Sequence, residues 1–244
     1  MKTNFRAKLS KLFMRNPKPM SFSEDIDKTE AKGEHKFYFA FSESYIKNKK
    51  VLDLGSWTGP YASLIYDLAK EITAVDVEEK ALKVLKKNLP KIRCVKSFSD
   101  NLPFKNGEFD VVTFWDVIEH IPLGNELLTL KEINRVLKKN GYLFLATVNK
   151  NFWSDLLDPA YYLAGHRHYT KKQLIKMLID SGFKVEEIKT AGSFISSFYA
   201  LSFYFFKHIL KMKMPTIPYI EKKMYEDMMR PGFIQIAIRA KKIF

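Results

Sequence analysis

The chain has one cysteine, Cys94, among its 244 residues. A single thiol excludes a disulfide framework and any zinc or iron–sulfur site that needs four cysteines. No stretch reaches the roughly 18 uninterrupted apolar residues of a membrane-spanning helix. The first ten residues are charged and lack the apolar core of a secretion signal. We therefore expect a cytoplasmic protein whose own core is large enough to hold it folded.

Acidic residues are outnumbered, with 27 Asp and Glu against 41 Lys and Arg and a net charge of +14. This surplus favours anionic partners, namely nucleic acid, anionic lipid head groups or acidic metabolites. Composition alone does not choose among them, and surface lysines that only maintain solubility are an equal alternative.

Residues 1–20 form a basic segment with apolar side chains at a helical spacing: Phe5, Leu9, Leu12 and Phe13. Prolines at 17 and 19 end the pattern. A basic amphipathic helix can lie on an anionic membrane surface, which makes such a surface a candidate partner. The alternative is a terminal segment that packs on the remaining domain.

From residue 50 onward, short apolar runs alternate with amphipathic segments. The predicted strands are 51–54, 72–76, 92–95, 110–114, 142–148, 183–188 and 233–240. The predicted helices begin at Pro60 or cover 78–89, 127–137 and 170–180, with Asn140 and Gly141 as a left-handed cap of the third. This alternation predicts an α/β fold with a doubly wound parallel sheet covered by helices on both faces.

The turn after the first strand reads Asp53-Leu-Gly55-Ser-Trp57-Thr-Gly59. Ligands of doubly wound folds bind where such turns meet the carboxyl ends of the strands. About 20 residues further on, Asp76 ends the second strand, where a carboxylate can bind both hydroxyls of a ribose. The dinucleotide fingerprint fails at Trp57 and Pro60, and a P-loop lysine is missing after Gly59. The pattern therefore indicates an adenosine-containing cofactor other than a dinucleotide.

These residues resemble the first motif of class I S-adenosylmethionine-dependent methyltransferases, acid-x-Gly-x-Gly-x-Gly, with Trp57 in place of the middle glycine. The segments 101–104, 109–112, 117–122, 135–143 and 174–185 are similar to later motifs of the small-molecule branch, which includes ubiquinone and menaquinone methyltransferases. The resemblance covers about 48–190 and 233–240. It implies one domain over 21–244, with a Rossmann-like, seven-stranded, mostly parallel sheet and an antiparallel last strand.

The resemblance also implies the cofactor, S-adenosyl-L-methionine, and the residues that would bind it. Its methionine half would lie along the first turn and approach the end of the fourth strand, and Asp76 would hold the ribose with Val77 against the adenine. The residues after the third strand would line the adenine pocket, with Phe98 where the family often has an acid. The full set is Asp53, Gly55, Ser56, Trp57, Gly59, Asp76, Val77, Phe98, Ser99, Asp100, Phe114 and Trp115.

Methyl transfer to an oxygen benefits from a general base, most often a histidine or a carboxylate. Glu119 and His120 follow the fourth strand, and His166 and His168 follow the fifth. Each of these four is a candidate catalytic residue, and packing or helix capping is the alternative role. Two histidines alone do not indicate a metal, and no metal is expected.

Residues 194–230 form a predicted helical insertion, with seven aromatic residues between Phe194 and Phe206 followed by lysines. It would make an acceptor pocket or an interfacial anchor for a lipid-linked substrate, or else pack on the core or on a second copy.

The leading hypothesis is a methyltransferase acting on a small-molecule, glycan or lipid-linked acceptor, at oxygen. An RNA methyltransferase is one alternative, encouraged by the charge. A non-catalytic partner protein with this fold is another, which requires that Trp57 fill the cofactor pocket.

Overall fold

The computed structural model describes residues 31, 33–163, 165–212, 215 and 217–243. The predicted amphipathic segment 1–20 lies outside the described residues. The strands are β1 (Lys50–Leu54), β2 (Glu71–Asp76), β3 (Arg93–Lys96), β4 (Phe109–Trp115), β5 (Leu137–Val148), β6 (Phe183–Ala191) and β7 (Gln235–Lys242).

The strands form one sheet in the order β3-β2-β1-β4-β5-β7-β6. The first five positions pair in parallel, and β7 runs antiparallel between β5 and β6. The predicted fold class is confirmed. Strands β2 and β3 are added on one side of β1, and β4 and the later strands are added on its other side. This reversal opens a crevice at the carboxyl ends of β1 and β4, where doubly wound folds bind ligands.

The helices are α1 (Gly33–Ile46), α2 (Pro60–Ile65), α3 (Glu79–Asn88), α4 (Glu126–Val136), α5 (Phe152–Leu157), α6 (Pro159–Leu163), α7 (Lys171–Asp180), α8 (Phe194–Tyr204) and α9 (Pro218–Met228). A π-helical segment, Phe205–Leu210, extends α8. None of the helices in the described ranges is long and apolar enough to cross a bilayer.

The central strands are buried on both faces because helices cover both sides of the sheet. Leu52 and Phe114 belong to the core cluster on one side, and Val51 and Trp115 belong to the cluster on the other. Successive residues of a strand point to opposite faces, so each apolar run supplies both cores.

The helix α4 ends differently from the prediction. It stops at Val136, and Leu137 is already extended and paired with Phe109. Asn140 has a left-handed φ of 62°, but it lies within β5, where the pairing register shifts before Tyr142 meets Val111. The prediction that Asn140 and Gly141 cap the helix is wrong, because pairing with β4 begins before the turn.

Candidate functional site

The turn after β1 is built on two glycines in the left-handed region, with φ of 81° at Gly55 and 86° at Gly59. A Cβ on Gly55 would lie 2.2 Å from Val117 Cγ2, and one on Gly59 would lie 2.9 Å from Leu85 Cγ. The Gly55 amide donates to the carbonyl of Val75 at 2.8 Å, which ties the turn to β2. Glycine is therefore required at both positions by conformation and by space.

Asp76 lies at the carboxyl end of β2, and its carboxylate is oriented by backbone amides. The Trp57 N–H donates to Oδ2 at 2.8 Å, and the Glu78 N–H donates to Oδ1 at 2.9 Å. Each oxygen keeps a further lone pair for a ligand hydroxyl. The half-buried Asp76 thus fits the ribose of an adenosine-containing cofactor.

Trp57 replaces the glycine of the family motif, yet it keeps the left-handed backbone of that turn with a φ of 51°. A side chain in this region costs roughly 1–2 kcal/mol. The hydrogen bond from its amide to Asp76 helps to hold it there. Trp57 therefore occupies a left-handed position of the turn without being a glycine.

Two exposed apolar side chains flank Asp76. Val77 is 52% exposed and Phe98 is 71% exposed, which is unusual for large apolar groups in ordered loops. The amide of Ser97 donates to the carbonyl of Asp76 at 3.2 Å and brings the β3 loop to this position. The pair offers two apolar surfaces next to the ribose position, which suits a flat base.

Ser99 and Asp100 turn towards the start of α4 instead. The Ser99 hydroxyl lies 3.1 Å from the Thr129 hydroxyl, and the Asp100 carboxylate accepts from the Asn125 amide at 2.9 Å. Their side chains therefore fix the loop that carries Phe98.

Asp53 and Ser56 are buried beneath the turn. Asp53 accepts a hydrogen bond from the Thr113 hydroxyl at 2.7 Å. Burial raises the pKa of Asp53 to about 7, and the charge of Asp76 adds to the effect. The Ser56 hydroxyl contacts the carbonyl of Val75 at 3.4 Å. Both residues support the turn from below.

The two residues at the end of β4 that were predicted to contact the cofactor, Phe114 and Trp115, face opposite sides of the sheet. Phe114 is fully buried among the side chains of one core, so its ring is not available to a ligand. Trp115 lies on the other face and stacks on Tyr38, with ring centroids 4.5 Å apart.

A buried cluster that sequence reasoning missed lies directly after β4. The Asp116 carboxylate accepts hydrogen bonds from the Tyr38 hydroxyl at 2.6 Å and from the Gln235 amide. Asp116 has a left-handed φ of 55°, and desolvation raises its pKa to about 6. In the sequence, the position of Asp116 immediately after a buried strand was the signal that could have marked it as a candidate site residue. Nothing local links it to Tyr38 or Gln235, which lie in α1 and β7.

His120 and His166 meet at the same edge of the sheet, with ring centroids 4.3 Å apart and rings nearly perpendicular. His120 is exposed. Desolvation by the surrounding protein lowers the pKa of His120 to about 4, and the nearby His166 and Arg167 add to this effect. Its imidazole is therefore neutral at neutral pH and can accept a proton.

The turn that carries His120 is held from both sides. The His120 amide donates to the carbonyl of Val117 at 2.9 Å, and Val117 packs against Gly55. The guanidinium of Arg167 donates to the carbonyl of Ile118 at 3.0 Å and to that of Ile121. The histidine is thus fixed relative to the glycine turn.

His168 is completely buried and lies between two carboxylates. Its Nδ1 lies 2.7 Å from Asp155 Oδ1, and its Nε2 lies 2.9 Å from Asp158 Oδ2. Burial alone would raise the pKa of Asp158, but hydrogen bonds from His166 and His168 hold it well below its usual range. This arrangement joins α5 to the loop before α7.

Glu119 is also buried, and it accepts a hydrogen bond from the Thr147 hydroxyl at 2.8 Å. Burial raises its pKa well above the usual range, and the nearby charge of Asp116 adds to this. In the described part of the chain, no group of three or more His, Cys, Asp or Glu side chains is arranged to hold a metal ion.

The sheet order and the glycine turn after β1 define a Rossmann-like fold. Comparison with known proteins agrees. The family described as "Methyltransferase domain" matches residues 4–188. The chain belongs to this methyltransferase family, and the resemblance seen in the sequence is confirmed. Membership implies S-adenosyl-L-methionine as the cofactor, as predicted.

The individual relatives share about 30% of their residues with this chain over the matched segments. A Mycobacterium tuberculosis protein described as a probable S-adenosylmethionine-dependent methyltransferase is 30% identical over 135 residues, which cover 55% of this chain and 48% of that protein. The chain thus spans about half the length of that relative. A ubiquinone biosynthesis O-methyltransferase of Thiobacillus denitrificans is 30% identical over 159 residues, covering 59% of this chain and 68% of the relative.

Solved structures show the same fold. A SAM-dependent methyltransferase from Aquifex aeolicus superimposes with a TM-score of 0.59 at 16% identity, over 98% of both chains. An S-adenosylmethionine-dependent methyltransferase from Mesorhizobium loti has a TM-score of 0.58 at 14% identity, over 84% of this chain and 98% of the other.

Proposed function

We propose that this chain transfers a methyl group from S-adenosylmethionine to an oxygen of a small, largely apolar acceptor. The observation that carries the proposal is the position of His120, an exposed imidazole on the turn whose first residue, Val117, packs against Gly55. A neutral imidazole beside the methionine end of the cofactor can take the proton of an acceptor hydroxyl.

The chain's own residues divide the work. Asp76 binds the ribose hydroxyls, Val77 and Phe98 enclose the base, and the backbone of the 55–59 turn follows the remainder of the cofactor. When bound, the cofactor supplies the electrophilic methyl group. His120 would accept the hydroxyl proton as the acceptor oxygen gains the methyl group and the cofactor's carbon–sulfur bond breaks, and His166 holds the ring of His120 by their edge-to-face contact. The protein mainly orients the two reactants and excludes water.

The acceptor side is apolar and aromatic. Phe152 and Trp153 lie on α5, in the segment that follows β5, and are 71% and 45% exposed. Their rings contact each other with centroids 5.1 Å apart. Oxygen as the acceptor atom is supported by relatives named as ubiquinone biosynthesis O-methyltransferases, although identity to them is low. A lipid-linked ring is one acceptor of this class.

The test is a methyl-transfer assay with a panel of polyhydroxylated aromatic compounds and a mass readout of product. We expect His120→Gln to lower kcat by about 100-fold, with the affinity for S-adenosylhomocysteine unchanged. The matched control is Lys139→Gln, an exposed change at the opposite edge of the sheet, which should leave kcat as it is.

Product methylated at nitrogen or carbon, or transfer only to RNA, would overturn the oxygen acceptor while leaving the cofactor site intact. Full kcat in His120→Gln would remove the proposed base.

A further inference from the structure

Helix α8 presents its apolar side to solvent and its polar side to the protein. Its buried residues are Ser196, Ser197 and Tyr199. Phe194, Phe198 and Leu201, which recur at helical spacing, are 53%, 73% and 39% exposed. This is the reverse of the usual surface helix, in which the apolar stripe faces the core.

Hydrogen bonds hold the helix in this orientation. The Asp227 carboxylate of α9 accepts from the amide of Ser193 at 2.8 Å and from the amide and hydroxyl of Ser196 at 3.1 and 2.6 Å. The Tyr199 hydroxyl donates to Glu221. Rotating the helix to bury its phenylalanines would leave these polar groups unpaired, so the exposed orientation is specified by the sequence.

The exposed apolar surface continues beyond α8 in both directions. Phe194 contacts Trp153 of α5 with ring centroids 5.2 Å apart. On the other side, Phe205 and Met212 are 51% and 61% exposed. We call this surface the apolar face; it comprises Phe194, Phe198, Phe205 and Met212, and it adjoins Phe152 and Trp153 of the proposed acceptor side. Contiguous exposed apolar surface of this kind marks an interaction site.

The sequence of this region favours an anionic partner. No Asp or Glu occurs from residue 188 to residue 220, and the same stretch contains Lys189, Lys207, Lys211 and Lys213. Aromatic and aliphatic side chains combined with lysines, without acids, are typical of segments that lie in the interface of an anionic bilayer. A second copy would bring the same positive charges together.

We propose that the apolar face docks on a membrane surface rich in anionic phospholipid. The phenylalanines insert among the acyl chains next to the head groups, and the lysines pair with lipid phosphates. This interaction goes beyond the proposed methyl transfer, and it can be measured without an acceptor or a cofactor.

The test is co-sedimentation of the full chain with vesicles of phosphatidylglycerol and phosphatidylcholine, and with vesicles of phosphatidylcholine alone. We expect binding to the anionic vesicles at low salt, weakened at high salt, and little binding to the neutral ones. Phe198→Glu should lower the partition coefficient by at least about tenfold. The matched control is Ile179→Glu, a change at a 60% exposed apolar residue of α7, which should bind as the wild type does.

Three results would overturn the proposal. The wild type could fail to bind the anionic vesicles. Phe198→Glu could bind as well as the Ile179→Glu control, which would assign the binding to another basic region. Light scattering could show a dimer that Phe198→Glu dissociates, which would make a second copy the partner. A thermal melt of Phe198→Glu, whose changed residue is largely exposed, checks that the variant is folded.

Discussion

Gly55 and Val117 meet so closely that a Cβ on the glycine would lie 2.2 Å from Val117 Cγ2. Gly55 belongs to the turn proposed to bind the cofactor, and Val117 begins the turn that carries His120. The contact therefore sets the distance between the two halves of the proposed site, and the absence of a side chain at residue 55 makes it possible.

Gly55→Ala should destabilise the protein by about 2–4 kcal/mol, because the methyl group collides with Val117 and the backbone is strained at a φ of 81°. Denaturant unfolding measures this. Gly124→Ala is the matched control, since Gly124 also has a positive φ but has nothing within 4 Å of an added Cβ. Gly124→Ala should lose only the part of the stability that comes from backbone strain, about 1–2 kcal/mol.

The second variant Val117→Ala removes the colliding methyl group. Combined with Gly55→Ala, it should cost less than the sum of the two single changes. Additive costs would show that the contact with Val117 is not the source of the destabilisation.

The buried carboxyl of Asp53 should make stability pH-dependent. Its folded pKa of about 7 lies above the value near 3.9 of an unfolded aspartate. Between these values the folded state binds the proton more tightly, so stability falls as the pH rises through that window and stays lower above it. Asp53→Asn cannot ionise.

We therefore expect Asp53→Asn to be more stable than the wild type by about 2–4 kcal/mol at pH 8 and equally stable near pH 4, without cofactor. Urea titrations at the two pH values measure the difference. Equal stabilities at both would mean that Asp53 ionises in the folded state as readily as in water.

The fold was predictable because apolar runs, helix starts and glycine turns alternate locally, and both-face burial makes the central strands apolar almost throughout. Alternation along β4 could also have shown that Phe114 and Trp115 face opposite sides of the sheet. The Asp116–Tyr38–Gln235 cluster was not predictable, because it joins residues from α1, the turn after β4 and β7. Asn140 has the residue type and backbone of a cap, but strand pairing decided its role.

His168→Gln should destabilise the protein by about 2–4 kcal/mol, because Asp155 and Asp158 would lose the imidazole that lies between them. Thermal and denaturant unfolding measure this. His166→Gln is the comparison, since His166 lies 3.7 Å from Asp158 in a partly exposed position, and its cost should be smaller. A His168→Gln protein of wild-type stability with lost turnover would instead assign His168 to the chemistry.

The central claim is that the turn at Gly55 and the carboxylate of Asp76 form the cofactor site. Calorimetric titration with S-adenosylhomocysteine tests it most directly, using the wild type, Asp76→Ala, Asp76→Asn and the exposed control Glu43→Ala. We predict micromolar binding to the wild type and to the control, and binding weaker by about 10–100-fold in both Asp76 variants, through the loss of charged hydrogen bonds. No binding to the wild type, or equal affinity in the Asp76 variants, would contradict the account.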